Sequence, residues 1–294
     1  MTLQTDITPT KVSFPAGTVS QQSEVIWCQH TTDACLVVTE QTPFHPVSHI
    51  WPDHPADRGT LCLDNTHSWP VADCVIGAWD CEQRRLYWGG DIPVKRDTPN
   101  WHFVVVHCLP LSAVLQCGQR VTLMVDRAYQ NRLSRAHSGA HLAALALNRV
   151  LQQQGYWRKD ASRLDALGQI DFHSYAEQRS EVGEDRCLDS YRMGKTLRKR
   201  GFNSAEFIAA LPQVCELVNT QLALWLEQGS AISLQCDGPY LTDSRYWQCQ
   251  LDSELAVIPC GGTHIDSLSA LGSLTISLAL TDCGDVEMTT YTQA

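Results

Sequence analysis

The chain has 294 residues, 44% of them from the AVILMFWYC set and only 18% charged, which excludes a disordered chain built on high charge and few aromatics. At roughly 150 residues per domain this length predicts two domains. The net charge of −10 weighs against a protein that coats nucleic acid non-specifically, and it leaves room for an RNA-acting enzyme with one local basic patch.

The N-terminus, MTLQTDITPTKVSFPAG, has no basic start followed by an apolar core. No apolar run approaches the ~18 residues that span a bilayer, so a cytoplasmic location is expected. The 13 cysteines are an odd number with no CxxC pair, which predicts reduced thiols and gives no support to a zinc ribbon or a thioredoxin-type motif. Most of them, such as Cys62, Cys187 and Cys215, read as small buried hydrophobes.

Residues 1–120 read as β-rich. VIWCQ (25–29), ACLVVTE (34–40), TLCLD (60–64), DCVIGAWD (73–80), RLYWGGDIPV (85–94) and WHFVVVHCL (101–109) are short β-branched or aromatic runs separated by turn residues. This is the pattern of a sandwich or a small barrel. His107, inside an apolar run, reads as a satisfied core histidine before it reads as a ligand. The stretch 42–59 carries four prolines, which exclude a regular strand through it. Its histidines, His45, His49 and His54, offer a second metal site only weakly, since no carboxylate or thiol pattern stands beside them. Six of the nine tryptophans lie in this half, and packing is their expected role over base stacking.

The pattern changes near residue 120. VTLMVD (121–126) reads as a strand and 127–155 as a helix, with Leu133, His137, His141, Ala144, Asn148 and Leu151 on one stripe. Asp126 caps its start and Gly155 ends it. A second helical region runs from Asn203 to Gln228, with capping-box spacing between Asn203 and Glu206, a break at Pro212 and a stop at Gly229. AISLQCD, RYWQCQL, LAVIPC and SLTISLAL then alternate as strands. The fold class is therefore α+β: a β-barrel-like domain over 1–120, and a domain over 121–294 with helices on a largely antiparallel sheet.

Two short motifs carry the chemistry. His137 and His141 form an HxxxH pair, which a helix stacks one turn apart on one face. The pair lacks the Glu of HExxH, so a zincin protease is not supported. Cys260-Gly-Gly-Thr-His264 follows a strand-like run and adds a thiol and an imidazole. Gly261 and Gly262 give room for a tight turn and expose backbone N–H groups. The four donors, His137, His141, Cys260 and His264, suit a tetrahedral zinc ion, which accepts both thiolate and imidazole.

In this order and spacing, the HxxxH and CGGTH motifs resemble the alanyl-tRNA editing proteins, free-standing relatives of the editing domain of alanyl-tRNA synthetase. VTLMVDRAYQNRLSRAHSGAHL is similar to that family's strand and first helix, and IPCGGTHIDSLSALGSLTI to its CGGTHV segment. The 42–60 stretch resembles its TxFYPxGGGQPxDxG loop at Thr42, Phe44, Pro46, Pro55, Asp57 and Gly59. The glycine triplet and the glutamine are absent, and His54 stands where the glutamine would fall. Ser138 and Gly139 stand where the family often has Thr-Ala. The region 156–200 departs from the family.

The resemblance implies hydrolysis of a mischarged aminoacyl-tRNA ester, Ser- or Gly-tRNA(Ala), with zinc held by His137, His141, Cys260 and His264. It makes Thr263 and the N–H groups near Gly261 and Gly262 candidates for holding the ester oxygen or the amino acid. A turn-stabilising hydroxyl is the other reading of Thr263. Ser138 reads either as a contact to a seryl hydroxyl or as a small helix residue that permits close packing. Arg186, Arg192, Lys195, Arg198, Lys199 and Arg200 offer phosphate contacts to tRNA, or form a plain solvated face. Two rivals stand beside this reading: a zinc hydrolase of the same fold acting on another ester or amide, and a non-enzymatic tRNA- or synthetase-binding module with structural zinc.

Overall fold

The computed structural model describes residues 7–50, 52–64 and 67–294. Residues 1–6 of the N-terminal segment and Trp51 of the proline-rich stretch lie outside them. The fold is mixed, with a large antiparallel sheet and few helices, as the α+β class requires. The chain divides into two compact units. One comprises Met1–Gln130, Cys236–Arg245 and Gly261–Thr263; the other comprises Asn131–Gln235, Tyr246–Cys260 and His264–Ala294.

The first unit is built on an eight-stranded sheet. Its order is Ser68–Val71, Gly59–Cys62, Arg120–Val125, Ser20–His30, Cys35–Thr39, Trp101–Leu109, Asp73–Asp80, Arg85–Trp88, and every neighbouring pair is antiparallel. Ser68–Val71 touches Trp101–Leu109 although four strands stand between them, so the sheet is curled. Its two outermost strands do not pair with each other, and the sheet is therefore open where a barrel would close. One edge carries Pro70, which has no N–H to extend the ladder.

Apolar side chains cover both faces of this sheet. Val25, Val37, Phe44, Leu61, Ile76, Phe103, Val105 and Leu123 pack on one side. Trp27, Leu36, Val38, Trp79, Leu86, Val104 and Val106 pack on the other. That is why FVVV reads as an unbroken apolar run: successive residues point to opposite faces, and both faces are buried. His107 is a core residue with both ring nitrogens engaged. Nδ1–H donates to the Val37 carbonyl at 3.1 Å, and the Thr42 hydroxyl meets Nε2 at 2.8 Å. Burial lowers its pKa to about 4. Among the described residues the proline-rich stretch forms no strand after Gln41–Thr42 until Gly59, where a Cβ would fall 2.0 Å from the Met124 carbonyl oxygen.

The helices are α1 (Arg127–Gln153), α2 (Phe172–Ala176), α3 (Lys195–Lys199), α4 (Ser204–Ala209) and α5 (Leu211–Gln228). Asp126 caps α1 by accepting from the Tyr129 N–H at 3.0 Å. Gly155, in a left-handed conformation (φ 74°), ends it. Pro212 sits in the first turn of α5 and separates it from α4, and Gly229 (φ 59°) terminates α5. The expected capping box differs in detail: the Asn203 side chain bonds the Glu206 side chain and caps no backbone N–H.

The second unit packs these helices with two sheets, the four-stranded one antiparallel throughout. One runs Glu177–Gly183, Arg186–Tyr191, Val286–Gln293, Ser273–Leu280; the other runs Ile232–Cys236, Arg245–Leu251, Glu254–Pro259. Leu142, Leu145, Leu151, Phe172, Phe207, Val218, Leu222, Trp225, Trp247 and Met288 lie in a single core. The hairpin 177–191 and the strand 286–293 escape a hydropathy reading because the first is polar and charged and the second is threonine-rich. No disulfide joins the cysteines; Cys187 is buried, while Cys62 and Cys215 are half-buried.

Gly139 decides how closely α1 approaches its sheet. A Cβ there would lie 2.7 Å from Thr292 Cγ2 and 3.0 Å from Leu274 Cδ1. Gly139→Val adds three carbons at this close approach and a β-branch to a helix interior. It is expected to lower stability by about 2–3 kcal/mol in denaturant unfolding. An unchanged midpoint would show that the strands can yield.

Candidate metal centre

The stripe predicted for α1 brings His137 and His141 together, with ring centroids 4.9 Å apart. The second motif begins where the strand Glu254–Pro259 ends. Cys260 Sγ lies 3.4 Å from His137 Nε2 and 3.2 Å from His264 Nε2. The His264 ring stacks on His137 at 4.3 Å and lies 5.2 Å from His141. One ligand atom from each of the four residues falls within 4.8 Å of all the others.

These distances suit a metal. Zinc bonds of about 2.0–2.1 Å to nitrogen and 2.3 Å to sulfur give a tetrahedral N···S edge of about 3.6 Å. His141 Nε2 is buried and has no hydrogen-bond partner among the described residues, a state a cation would relieve. Burial, then the nearby His173, lowers the His141 pKa to about 3, so the ring is neutral and its lone pair is available for coordination. His137 is buried, and the other three residues are partly exposed.

Ser138 belongs to this centre. Its Oγ accepts from the Ile265 N–H at 3.3 Å and lies 3.1 Å from His264 Nδ1. With a metal bound at His264 Nε2, the ring proton would sit on Nδ1, where Ser138 Oγ can accept it. That bond favours the tautomer that leaves Nε2 free to bind a metal. The sequence suggested substrate contact or small size for Ser138; its geometry is that of a residue orienting a ligand.

The three residues between Cys260 and His264 belong to the first unit. Gly261 is exposed, and the nearest atom to a Cβ placed on it is Arg245 Nη1 at 4.0 Å. Neither Gly261 nor Gly262 is among the glycines with a left-handed backbone, and the chain bends at Gly262. Thr263 is buried, its Oγ1 3.4 Å from His54 Nε2. His54 donates from Nδ1 to the Pro55 carbonyl at 2.8 Å, which leaves Nε2 as an acceptor for the threonine proton. Burial lowers the His54 pKa to about 4 and so keeps this role available.

His45 contacts His54 edge-on at 4.5 Å, and its N–H donates to Asp57 Oδ2 at 2.8 Å. Gln130 Nε2 donates to the same oxygen at 2.7 Å. His45, His49 and His54 do not form a metal-ligand group among the described residues. Asp57 marked a motif endpoint in the sequence, whereas Gln130 gave no signal at all. Arg186, Arg192, Lys195, Arg198, Lys199 and Arg200 are all exposed.

Ser138→Ala is expected to weaken zinc binding by roughly 10–100-fold, read by competition with a chelator, with the fold kept. A second expectation concerns Asp57, whose pKa burial raises to about 7. The folded state therefore keeps a proton that the unfolded state releases near pH 4, and stability falls as pH rises from about 4 to 7. Asp57→Asn removes that slope. Its stability relative to the parent is expected to rise by up to about 4 kcal/mol between pH 4 and 8. A difference that stays flat across that range would separate Asp57 ionisation from folding.

No helix among the described residues is long and apolar enough to cross a membrane. No protein-family model matches the sequence. The alanyl-tRNA editing protein AlaX-M of Pyrococcus horikoshii is 25% identical over 170 residues, 58% of this chain. The matched segment spans 60% of the length of that relative. The match supports a distant relationship to alanyl-tRNA editing.

Proposed function

We propose that this chain is a zinc-dependent hydrolase that removes the amino acid from mischarged tRNA, with Ser- or Gly-tRNA(Ala) as substrate. The convergence of His137, His141, Cys260 and His264 carries this proposal. The editing relative supplies the substrate class. The editing chemistry is assigned to the segment 121–294, with 1–120 as a β-rich companion domain.

Zinc at these four residues would supply Lewis acidity to an ester carbonyl or lower the pKa of a water. The chain's own groups do the rest. Cys260 and the three imidazoles hold the ion, and Ser138 keeps His264 in the ligating tautomer. Thr263 directly precedes His264 in the sequence, and its hydroxyl is oriented by His54. With the N–H groups of Gly261 and Gly262 it is assigned to hold the ester oxygen or the amino acid. An aminoacyl ester is already activated, so modest polarisation and a held substrate suffice. Arg192, Lys195, Arg198, Lys199 and Arg200 are assigned to the tRNA.

Four protein ligands also describe a closed structural zinc site, whereas catalytic zinc keeps a position open. His137→Ala separates the two cases: a structural ion takes the fold with it, and a catalytic ion takes only the activity.

The decisive test is hydrolysis of serine-, glycine- and alanine-charged tRNA(Ala) by purified protein, with zinc measured on the same sample. Loss of the seryl or glycyl ester with the alanyl ester spared is expected, reduced at least about 100-fold in Cys260→Ala. Bound zinc with none of the three esters hydrolysed would overturn the assignment in favour of another ester or amide, or of a structural metal.

A further inference from the structure

The segments 158–163 and 192–200 hold eight of the chain's 22 lysines and arginines and one of its 32 acidic residues. The rest of the molecule is thus strongly acidic. Only the second segment stands out as a basic run in the sequence. The fold of the second unit brings the first one beside it.

Backbone contacts join the two. The Arg158 N–H donates to the Gly201 carbonyl at 2.9 Å, and the Asn203 N–H to the Tyr156 carbonyl at 2.8 Å. Trp157 and Phe202 form an antiparallel bridge with rings 5.0 Å apart. Gly201 (φ 103°) passes so close to Lys159 that a Cβ would meet its Cγ at 2.5 Å. Tyr175 fastens the outer edge. Arg200 lies 4.4 Å and Arg163 5.6 Å from its ring centroid, and the Arg163 N–H donates to its hydroxyl at 2.9 Å.

No carboxylate among the described residues pairs with these cations, although the Arg163 guanidinium donates to the Ser174 carbonyl at 3.4 Å. Arg132, Arg135, Arg149 and Arg179 of the same unit each hold a carboxylate. No ion pair among the described residues engages Arg158, Lys159, Arg163, Lys195, Arg198, Lys199 or Arg200, and all seven are exposed. Acidic groups on the neighbouring segments are Asp160, which is exposed; Asp171, whose N–H donates to the Arg163 carbonyl at 3.1 Å and whose carboxylate accepts from the Ser174 N–H; Glu206, bonded to Asn203; and Asp285, which accepts from the Met193 N–H.

We propose that 158–163 and 195–200 form one composite surface around Tyr175 that binds the phosphate backbone of tRNA. Four of the seven cations in these two segments are arginines, whose planar fork matches phosphate oxygens. A surface that acts through phosphates holds the RNA without reading bases. On an otherwise acidic protein it also selects the face that a polyanion approaches. That the polyanion is tRNA rests on the function proposed above; the phosphate-binding surface does not.

The test is fluorescence anisotropy with an uncharged tRNA(Ala) transcript over a salt series, alongside anionic phosphatidylserine vesicles. Three variants are compared: Arg158→Gln/Lys159→Gln/Arg163→Gln, Arg198→Gln/Lys199→Gln/Arg200→Gln, and a control of two exposed arginines in the first unit, Arg84→Gln/Arg85→Gln. Thermal melts check folding, and because Arg200 packs on Tyr175, Lys159→Gln/Lys195→Gln serves as a milder variant. Each triple is expected to weaken tRNA binding at least about 10-fold and to flatten the salt slope by about 2, at roughly 0.7–0.9 for each phosphate no longer neutralised. The control keeps both. In deacylation, the triples raise KM for full-length charged tRNA and leave kcat unchanged. Weakened binding with no deacylation in any protein would remove the substrate assignment and keep the surface. Unchanged affinity and slope in both triples overturns the surface, as does an effect confined to vesicle binding.

Discussion

Three imidazoles and a thiol meet within 4.8 Å of one another, and much of the second unit is arranged to let them do so. Such a cluster is costly to bury, because a neutral imidazole needs both a donor and an acceptor partner. At His264 both nitrogens are engaged, one by Ser138 and one at Cys260. At His141, Nε2 has no hydrogen-bond partner among the described residues, and burial keeps the ring uncharged. A soft divalent cation would balance these demands together, since it needs neutral imidazoles and a deprotonated sulfur.

The same constraint explains a run of adjacent residues on α1. His137 is a candidate ligand, Ser138 meets a second candidate, His264, and Gly139 lets the helix approach Thr292 and Leu274. A larger residue at 139 would lift the helix from its sheet and move both histidines with it. Glycine is a poor helix former, at about 1 kcal/mol relative to alanine, and close packing is the compensation.

Charge is partitioned as sharply as apolar surface. Paired arginines knit the second unit, while unpaired ones gather around Tyr175. In the first unit, polar groups sit inside a largely apolar interior. Asp57 is fully buried, its carboxylate accepting from the His45 N–H and from Gln130, and Thr263 is buried against His54. These groups carry desolvation costs that a purely structural core avoids, which sets this part of the first unit apart from its β-sheet core.

The strands DCVIGAWD, WHFVVVHCL, RYWQCQL and SLTISLAL, the long helix with its Asp126 and Gly155 ends, and the break at Pro212 were all legible in the chain. They follow from local rules: hydrophobic period, capping and the missing N–H of proline. The four metal-binding candidates were legible too, because HxxxH on a helix fixes two donors by geometry alone. Other features were beyond the sequence. The hairpin 177–191 is polar and draws its stability from pairing with 286–293. Ser138 gains its role from His264, 126 residues away. Gln130 gains its role from Asp57, and Lys159 becomes part of a basic surface through the path of Gly201. Local propensity sets which residues can form an element or a ligand pair. Which side chains become partners depends on long-range packing, and a single sequence carries no term for it.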